Sequence, residues 1–319
     1  MNRLWVALTI LFALLGSNPA SASCAASEQY NFAFASLPAA TLSYGSTYNY
    51  AATTSGGASQ PFSLKLTQNG LSSTLVANTQ MPAISTLVTG SNASLRDLVF
   101  GGIFSGRTTS ITGTSRVIVI TFTFAQPIRD FSITLNDIDY TANQYREWLM
   151  VTGVGNGVTY TPAMSSPPGN SNAVGGFRTA TGSAVTFGTT TTPFSISTSE
   201  VVGVDGSDNN SDQGDVTVTF PQPVTTVTVR YGNAPYSKGE NTTGQQGAGI
   251  AGISFCPMPQ IAVAKTSAPL SGTLGAYNLP GSDILYTLTV TNTGGSPVDA
   301  SSIVLSDVLP TGVTFRNTV

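Results

Sequence analysis

Residues 117–135 read VIVITFTFAQPIRDFSITL, and their pattern predicts the fold class of this 319-residue chain. Apolar side chains alternate with others from Ile118 to Phe124 and again from Phe131 to Leu135. This is the two-residue period of a β-strand with one buried face. The dipeptide at 126–127 is Gln-Pro, and we expect it to turn the chain, so the stretch predicts a β-hairpin.

The same pattern occurs again over residues 215–231. Apolar residues alternate with threonines over 216–220, Gln222 and Pro223 predict a turn, and apolar residues alternate once more over 227–231. An internal duplication would produce this similarity, and so would two hairpins of one sandwich. We favour the second interpretation.

Further strands are predicted at 62–66, 73–76, 151–154, 184–187, 194–196 and 250–255, with Gly, Asn, Ser and Pro residues between them. Residues 140–150 have apolar residues at helical spacing but no helix cap, so we favour a loop leading into a strand. Many short strands between turn residues are typical of all-β sandwiches. We therefore expect residues 23–256 to form a jelly-roll-like β-sandwich head domain, followed by a linker at 257–259.

Residues 280–315 read PGSDILYTLTVTNTGGSPVDASSIVLSDVLPTGVTF. Residues 285–290 predict one strand, and Ile303 with Leu305 predicts another, because the turn-forming residues 292–297 separate them. Residues 262–266, which read AVAKT, predict an earlier strand of the same module.

This C-terminal pattern resembles the bacterial surface-repeat family known as domain of unknown function 11. The family carries a PGD-like turn, a YTxTVTNTG strand and a DxLPxG turn, which correspond here to residues 280–283, 286–294 and 307–312. The resemblance implies an immunoglobulin-like β-sandwich that repeats in tandem on cell surfaces and has no general enzymatic activity. It covers residues 260–319, part of such a module. We therefore expect the sequence to be a fragment of a longer repeat protein, and the alternative is that another chain completes the module.

The first residues of the chain predict export. Asn2 and Arg3 precede an apolar run over residues 4–15, and the small residues at 20–22 suit cleavage by a signal peptidase. The apolar run is shorter than the roughly 20 residues of a transmembrane helix, and no later run is as long. We predict a signal peptide over 1–22, no membrane-spanning segment, and a secreted, extracellular or cell-surface location.

The chain has two cysteines, Cys24 near the predicted start of the mature protein and Cys256 just before the predicted linker. In an exported protein they predict a disulfide bond that joins the two ends of the head domain. The alternative is that both thiols are free or separately paired.

The composition excludes several classes of function. Charged residues make up 8% of the sequence and the net charge is −3, without a cluster of Lys and Arg that nucleic-acid binding would need. The chain has no histidine, which excludes Ser-His-Asp and Cys-His nucleophilic sites and the usual zinc sites with His ligands. Asp137, Asp139 and Glu147 form one local acidic group of the kind that glycoside hydrolysis uses, but we expect no catalysis.

Residues 205–215 concentrate side-chain oxygens. Asp208, Asn210 and Asp212 have the D-x-N-x-D spacing with which a calcium loop begins, because alternate residues turn their oxygens toward one cation. The rest of the EF-hand pattern is missing, since Gln213 replaces the glycine and Thr219 replaces the closing glutamate.

Asp137 and Asp139 form a second acidic pair, which we expect on one side of an extended strand. We predict calcium as a cofactor at these two residues together with Asp208, Asn210 and Asp212. The alternative is that the loop residues form Asx turns that satisfy local backbone amides.

Tyr140, Tyr145 and Trp148 lie near the acidic pair in the sequence and would stack on sugar rings in a ligand-binding site. The alternative is that Trp148 and Tyr231 belong to the core and that the other tyrosines lie on loop surfaces. With the resemblance, these features predict a secreted or surface-displayed bacterial protein of structural or adhesion type, without catalytic activity and with an unknown surface glycan or protein as its ligand. The alternative function is a carbohydrate-binding module assisted by calcium.

Overall fold

The computed structural model describes residues 24–141, 144–165, 185–187, 194–203, 206–234, 244–269, 273–274, 277–294, 298, 302–309 and 311–315. Within them the chain is all-β, with one short 3-10 helix at Phe34–Ser36. The first strands are β1 (Tyr30–Ala33), β2 (Ala40–Thr41), β3 (Thr47–Thr53), β4 (Ser59–Asn69), β5 (Leu71–Ser73), β6 (Leu75–Val76), β7 (Thr79–Gln80), β8 (Ala83–Ser85), β9 (Asp97–Phe104) and β10 (Val117–Asn136).

The strands continue with β11 (Tyr140–Thr141), β12 (Tyr145–Gly155), β13 (Val158–Tyr160), β14 (Ala163–Ser165), β15 (Val185–Phe187), β16 (Phe194–Ile196), β17 (Glu200–Val202), β18 (Val216–Phe220), β19 (Val224–Asn233) and β20 (Gln246–Pro257). The last strands are β21 (Ile261–Pro269), β22 (Thr273–Leu274), β23 (Tyr277–Asn278) and β24 (Ile284–Asn292). The predicted all-β class is therefore confirmed.

The longest strand, β10, is one continuous strand rather than the predicted hairpin. Its first half, as far as Phe124, pairs with β4 and β19, and its second half, from Ile128, pairs with β20 and β18. Gln126 and Pro127 lie at a bulge, where the pairing register with β19 shifts between Thr123 and Ile128. The predicted turn is wrong because the two residues bend one strand from one set of neighbours to another, as strands at the corners of β-sandwiches do.

The second predicted hairpin, around Gln222 and Pro223, is wrong in the same way. β18 and β19 both lie antiparallel to β10, so that Phe220 is opposite Phe131 and Val224 is opposite Ile128. The two similar stretches, residues 117–135 and 215–231, therefore pair with each other. Their Gln-Pro dipeptides lie at the same position along the paired strands. Proline has no amide hydrogen, so a Gln-Pro dipeptide interrupts the ladder in a bend as well as in a turn.

The bend in β10 encloses the hydrophobic core. The ring centroid of Phe131 lies 6.1 Å from that of Phe122, 5.9 Å from that of Phe124 and 6.3 Å from that of Phe220. Phe124 also lies 5.0 Å from Phe255 of β20. All five rings are at most 3% exposed, and burying each contributes about 1.5–3 kcal/mol. The buried face that the alternation predicted is confirmed.

The strands around this core close on themselves. β10 pairs with β4, β4 with β3, β3 with β1, β1 with β20, and β20 returns to the second half of β10. β20 also pairs with β9. β19 lies between the first half of β10 and β12 and pairs with both. The result is a sandwich-like arrangement of antiparallel strands in which β10 and β20 contact strands on both sides.

The predicted disulfide bond is confirmed. Cys24 and Cys256 are bonded, with their Cα atoms 5.9 Å apart and a sequence separation of 232 residues. Cys256 is 2% exposed and lies on β20 opposite Arg129 of β10. Because Tyr30 of β1 pairs with Phe255 of β20, strand pairing and a covalent bond join the two ends of the domain.

After β20 the chain enters a separate hairpin. β21 and β24 pair along their whole length, from Ile261 opposite Asn292 to Pro269 opposite Ile284, which confirms the strands predicted at 262–266 and 285–290. The strand predicted at 303–305 is wrong, because residues 302–309 pair with none of the described strands and a strand needs a partner for its backbone groups. This segment contacts the hairpin through Lys265, whose Nζ lies 2.7 and 2.8 Å from the carboxylate oxygens of Asp307.

The other predicted strands are largely confirmed. Residues 62–66, 151–154 and 250–255 lie inside β4, β12 and β20, residues 194–196 are β16, and residues 185–187 are β15. The strand predicted at 73–76 is divided between the end of β5 and the whole of β6. The loop expected over 140–150 is wrong in its described part, because Tyr140–Thr141 form β11 and β12 begins at Tyr145. The predicted signal peptide lies outside the described residues. None of the described residues belongs to a helix that is long and apolar enough to cross a membrane.

Candidate functional site

The loop of residues 206–214 carries the predicted calcium-loop residues. Asp208 and Asn210 are exposed, and so is Asp212. The hydroxyl of Thr89 donates to Asn210 Oδ1 at 2.7 Å, and the carbonyl of Asp208 accepts bonds from the amide and the hydroxyl of Ser211, both at 3.0 Å. These bonds use the backbone carbonyl of Asp208 and the hydroxyl of Thr89, so they differ from the Asx turns of the alternative interpretation, in which Asp and Asn side chains accept from local backbone amides. Among the described residues, no three or more Asp, Glu or Cys side chains have the geometry to hold a metal ion.

Asp137 and Asp139 are brought together by Ser207. β10 ends at Asn136 and Asp137 takes a φ of 64°, so the expectation of an extended strand through both aspartates is wrong. The Ser207 hydroxyl donates to Asp137 Oδ1 at 2.6 Å, and the Ser207 amide donates to Asp139 Oδ2 at 3.2 Å. Gly214 permits this close turn, because a Cβ at that position would lie 2.8 Å from the Cα of Asp137.

Trp148 is part of the core. Its side chain is 5% exposed, it packs in a cluster with Val117 and Val202, and its indole Nε1 donates to Glu200 Oε2 at 2.9 Å. A ring in this position has no exposed face for a sugar, so the predicted ligand-binding role of Trp148 is wrong. The alternative, core positions for Trp148 and Tyr231, is confirmed, since Tyr231 is 0% exposed.

Tyr140 and Tyr145 are half-buried residues of the β11–β12 hairpin. The guanidinium of Arg146 lies 4.0 Å from the ring centroid of Tyr140 and covers one of its faces. Burial raises the pKa of Tyr145, and the nearby carboxylates of Glu147 and Asp139 raise it further. Tyr145 therefore lies close to the acidic residues. Sugar binding by Tyr140 and Tyr145 stays a prediction, in which the buried indole of Trp148 has no part.

Glu147 points from β12 into the interior and is 1% exposed. The hydroxyl of Tyr231 donates to its Oε1, and the backbone amide of Asp139 donates to its Oε2 at 3.2 Å. Burial raises the pKa of Glu147 well above its ordinary value, and the carboxylates of Asp139 and Asp137 raise it further. Glu147 is thus enclosed by hydrogen-bond partners and lies away from solvent.

Three residues outside the predicted site lie together beside Gly90. The side-chain amide of Asn136 donates to Asp97 Oδ2. Gly90 takes a φ of 56°, and a Cβ there would lie 2.8 Å from Asp215 Oδ2 and 3.2 Å from Asn136 Nδ2. Asp97 begins β9, Asn136 ends β10 and Asp215 immediately precedes β18. Their exposed fractions are 2%, 2% and 8%.

Asp97 and Asp215 belong to a larger group, which we call the buried acidic cluster. The residues of this cluster are acidic, at most 8% exposed and close to the ends of β9, β10, β12 and β18. Its members are Asp97, Asp137, Asp139, Glu147 and Asp215. A buried carboxyl group is costly in its ionised form unless a partner compensates the charge, so this cluster favours either bound protons or a bound cation.

Burial raises the pKa of the aspartates of this cluster. The pKa of Asp97 is raised to about 6 by burial, against a lowering effect of the bond from Asn136, and that of Asp139 is also raised to about 6 by burial. The pKa of Asp137 is raised to about 7 by burial and by the carboxylate of Asp139. The pKa of Asp215 is raised to about 7 by burial and then by the carboxylate of Asp212.

Comparison of the chain with protein-family models, with curated proteins and with solved structures finds no significant match.

Proposed function

We propose that the β domain ending at β20 is a non-catalytic display domain of a secreted or cell-surface protein of adhesion type. The hairpin of β21 and β24 would connect this domain to the surface. The observation that carries the proposal is the position of β20, the strand through which the chain leaves the domain.

β20 is held by hydrogen-bonded neighbours on both sides. Gln246 to Ile250 pair with β9, residues 252–255 pair with β1, and pairs with β10 extend from Gly249 to Pro257. A load on the chain after Pro257 would pull β20 along its own axis, so that these pairs would have to break together. Cys256 adds a covalent bond to Cys24 at the loaded end. A strand anchored in this way suits a domain that must stay folded under tension.

The acidic residues support a non-catalytic role. A glycosidase needs two carboxyl groups in contact with the substrate, but Asp137, Asp139 and Glu147 are at most 5% exposed. Two surface concavities, of about 240 and 280 Å³, are lined by other residues, around Gln126 and around Ser132. The proposal therefore assigns the acidic residues to the interior of the fold.

No specific observation favours the carbohydrate-binding alternative at the predicted aromatic residues. Trp148 is buried, and Arg146 already covers one face of Tyr140. We therefore place adhesion first and treat a glycan as one kind of ligand that an adhesion domain would bind.

Attachment of cells tests this proposal. Deleting the coding sequence in the native producer is expected to reduce attachment to its growth surface several-fold without changing growth in suspension. Restoring the wild-type chain should restore attachment, and so should the Glu147→Gln chain, because a non-catalytic domain does not use this carboxyl for chemistry. Unchanged attachment after the deletion would exclude an adhesion role, and failure of a stably folded Glu147→Gln chain to restore it would point to catalysis.

A further inference from the structure

Two buried side-chain oxygens beside Gly90 accept no hydrogen bond from any described residue. They are Oδ1 of Asn136, which is 2% exposed, and Oδ1 of Asp215, which is 8% exposed. An unsatisfied buried acceptor costs about 1–3 kcal/mol, and more when it carries charge. Proteins therefore satisfy nearly all such groups with a donor, an ordered water or an ion.

Two glycines pack closely against the side chains that carry these oxygens and against Asp97. A Cβ on Gly90 would lie within 3.3 Å of the side chains of both Asp215 and Asn136. A Cβ on Gly249 would lie 2.9 Å from Asp97 Oδ2 and 2.9 Å from the carbonyl oxygen of Val88. A larger residue at position 90 or 249 would therefore clash with these polar groups, which lie close to the backbone of both glycines.

The hydrogen bond between Asn136 and Asp97 orients the amide. Its nitrogen donates to Asp97 Oδ2, and its oxygen accepts no hydrogen bond from the described residues. An arrangement of carboxylate, amide and carbonyl oxygens attracts a hard cation, because each oxygen offers a lone pair and the carboxylates supply negative charge.

We propose that Asp97, Asn136 and Asp215, together with the backbone carbonyl of Val88, bind one calcium ion. Calcium accepts carboxylate, amide and carbonyl oxygens in flexible geometry, whereas magnesium demands a regular octahedron and keeps several waters. Two aspartates balance the double charge of the ion.

This site is distinct from the five residues at which the sequence predicts calcium, and it does not depend on the proposed function. The ion joins the start of β9, the end of β10 and the residue before β18. It thereby fixes the loop that contains Gly90 against the loop of residues 206–214, which already meet where Thr89 N donates to the carbonyl of Asn209 at 3.0 Å.

The test is a titration of the purified, metal-stripped chain with CaCl2, followed by calorimetry and by thermal unfolding. We expect one calcium ion per chain and a rise in Tm of about 5–10 °C at a hundredfold excess over Kd. Asp97→Asn and Asp215→Asn should weaken calcium binding at least about tenfold, because each removes one charged ligand of the ion. Asp208→Asn is the matched control, since this exposed acid lies in the adjacent loop outside the proposed site, and this variant should bind calcium nearly as tightly as the wild type does.

Without metal, Asp215→Asn should unfold at a Tm equal to or above that of the wild type, because it removes a buried charge without changing the size of the side chain. This result also shows that the variant is folded, so that its loss of binding reports on the ligand. The proposal is overturned if CaCl2 produces neither heat nor a shift in Tm, as a buried water in the same space would predict. It is also overturned if MgCl2 acts as strongly as CaCl2, or if Asp208→Asn or Asp212→Asn abolishes binding while Asp215→Asn does not.

Discussion

Replacing Cys24 and Cys256 together by serine is expected to lower the free energy of unfolding by about 5 kcal/mol. The bond closes a loop with a sequence separation of 232 residues, and the entropy that a cross-link removes from the unfolded chain grows with the logarithm of loop length. The figure is the chain-entropy value, and for a domain of this size it corresponds to a fall in Tm of about 10–20 °C.

Urea unfolding followed by tryptophan fluorescence measures this effect, because Trp148 is buried in the folded domain. The wild-type chain treated with a thiol reductant is the matched control, and it should lose as much stability as the double-serine variant. If the two serines leave the urea midpoint unchanged, the bond does not stabilise the domain, and the covalent anchoring of β20 loses its importance.

Metal-stripped protein is expected to lose stability as the pH rises from about 4 to about 7. The aspartates of the buried acidic cluster have pKa values raised from 3.8 to about 6 or about 7 in the folded chain. The folded state then holds more protons than the unfolded state across this interval, so the free energy of unfolding falls with rising pH. The contribution is complete below the unfolded pKa and is lost as the pH passes the folded pKa. A single carboxyl with the shift of Asp137 would account for on the order of 4 kcal/mol.

Thermal unfolding in metal-free buffers at pH 5 and pH 8 tests the sign of this pH dependence of stability. Asp137→Asn and Asp215→Asn should reduce the difference in Tm between the two pH values, whereas the exposed Asp208→Asn should change it much less, because its carboxylate contributes least to the raised pKa of Asp137. Saturating CaCl2 should abolish or reverse the difference, because the ion favours ionised ligands and competes with protons. A higher Tm at pH 8 than at pH 5 in the absence of metal would contradict the account of the cluster.

The alternation of apolar residues was enough to predict all or part of the long strands β4, β10, β12, β19 and β20, whereas β1, β3 and β9 were not predicted. One buried core contains the alternating residues Ile118, Ile120, Phe122, Phe124, Phe131, Ile133 and Leu135, as the two-residue period requires, whereas Val117 packs in a second cluster. The connection between residues 117–124 and 131–135 was not predictable, because the Gln-Pro dipeptide at 126–127 is equally compatible with a turn and with a bend. Which of the two occurs depends on partners distant in sequence, since β18 and β20 are available to pair with the second half of β10.

The site was less predictable than the strands. The D-x-N-x-D spacing drew attention to Asp208 and Asp212, which are exposed. Asp97, Asn136 and Asp215 are far apart in the sequence, and the only local signal is that each lies at the end of an apolar strand pattern. Their proximity arises from the order of β9, β10 and β18 in the sheet, and their importance arises from burial. A single sequence gives neither the proximity of these residues nor their burial directly.

The disulfide bond and the proposed calcium site stabilise different parts of the domain. The bond between Cys24 and Cys256 fixes the point where the chain leaves the domain, and the ion fixes the loops beside Gly90. Both would stabilise the folded state of a domain that, as we propose, is displayed outside the cell, where thiols are oxidised and calcium is plentiful.

Labelling of intact cells with an antibody against residues 24–256 measures whether this domain is displayed at the cell surface. If the domain is displayed at the cell surface, unbroken cells of the native producer should bind the antibody. Brief treatment of the same cells with a protease should then remove the signal. Cells that bind the antibody only after lysis would contradict the account, because a domain held inside the cell cannot take part in adhesion.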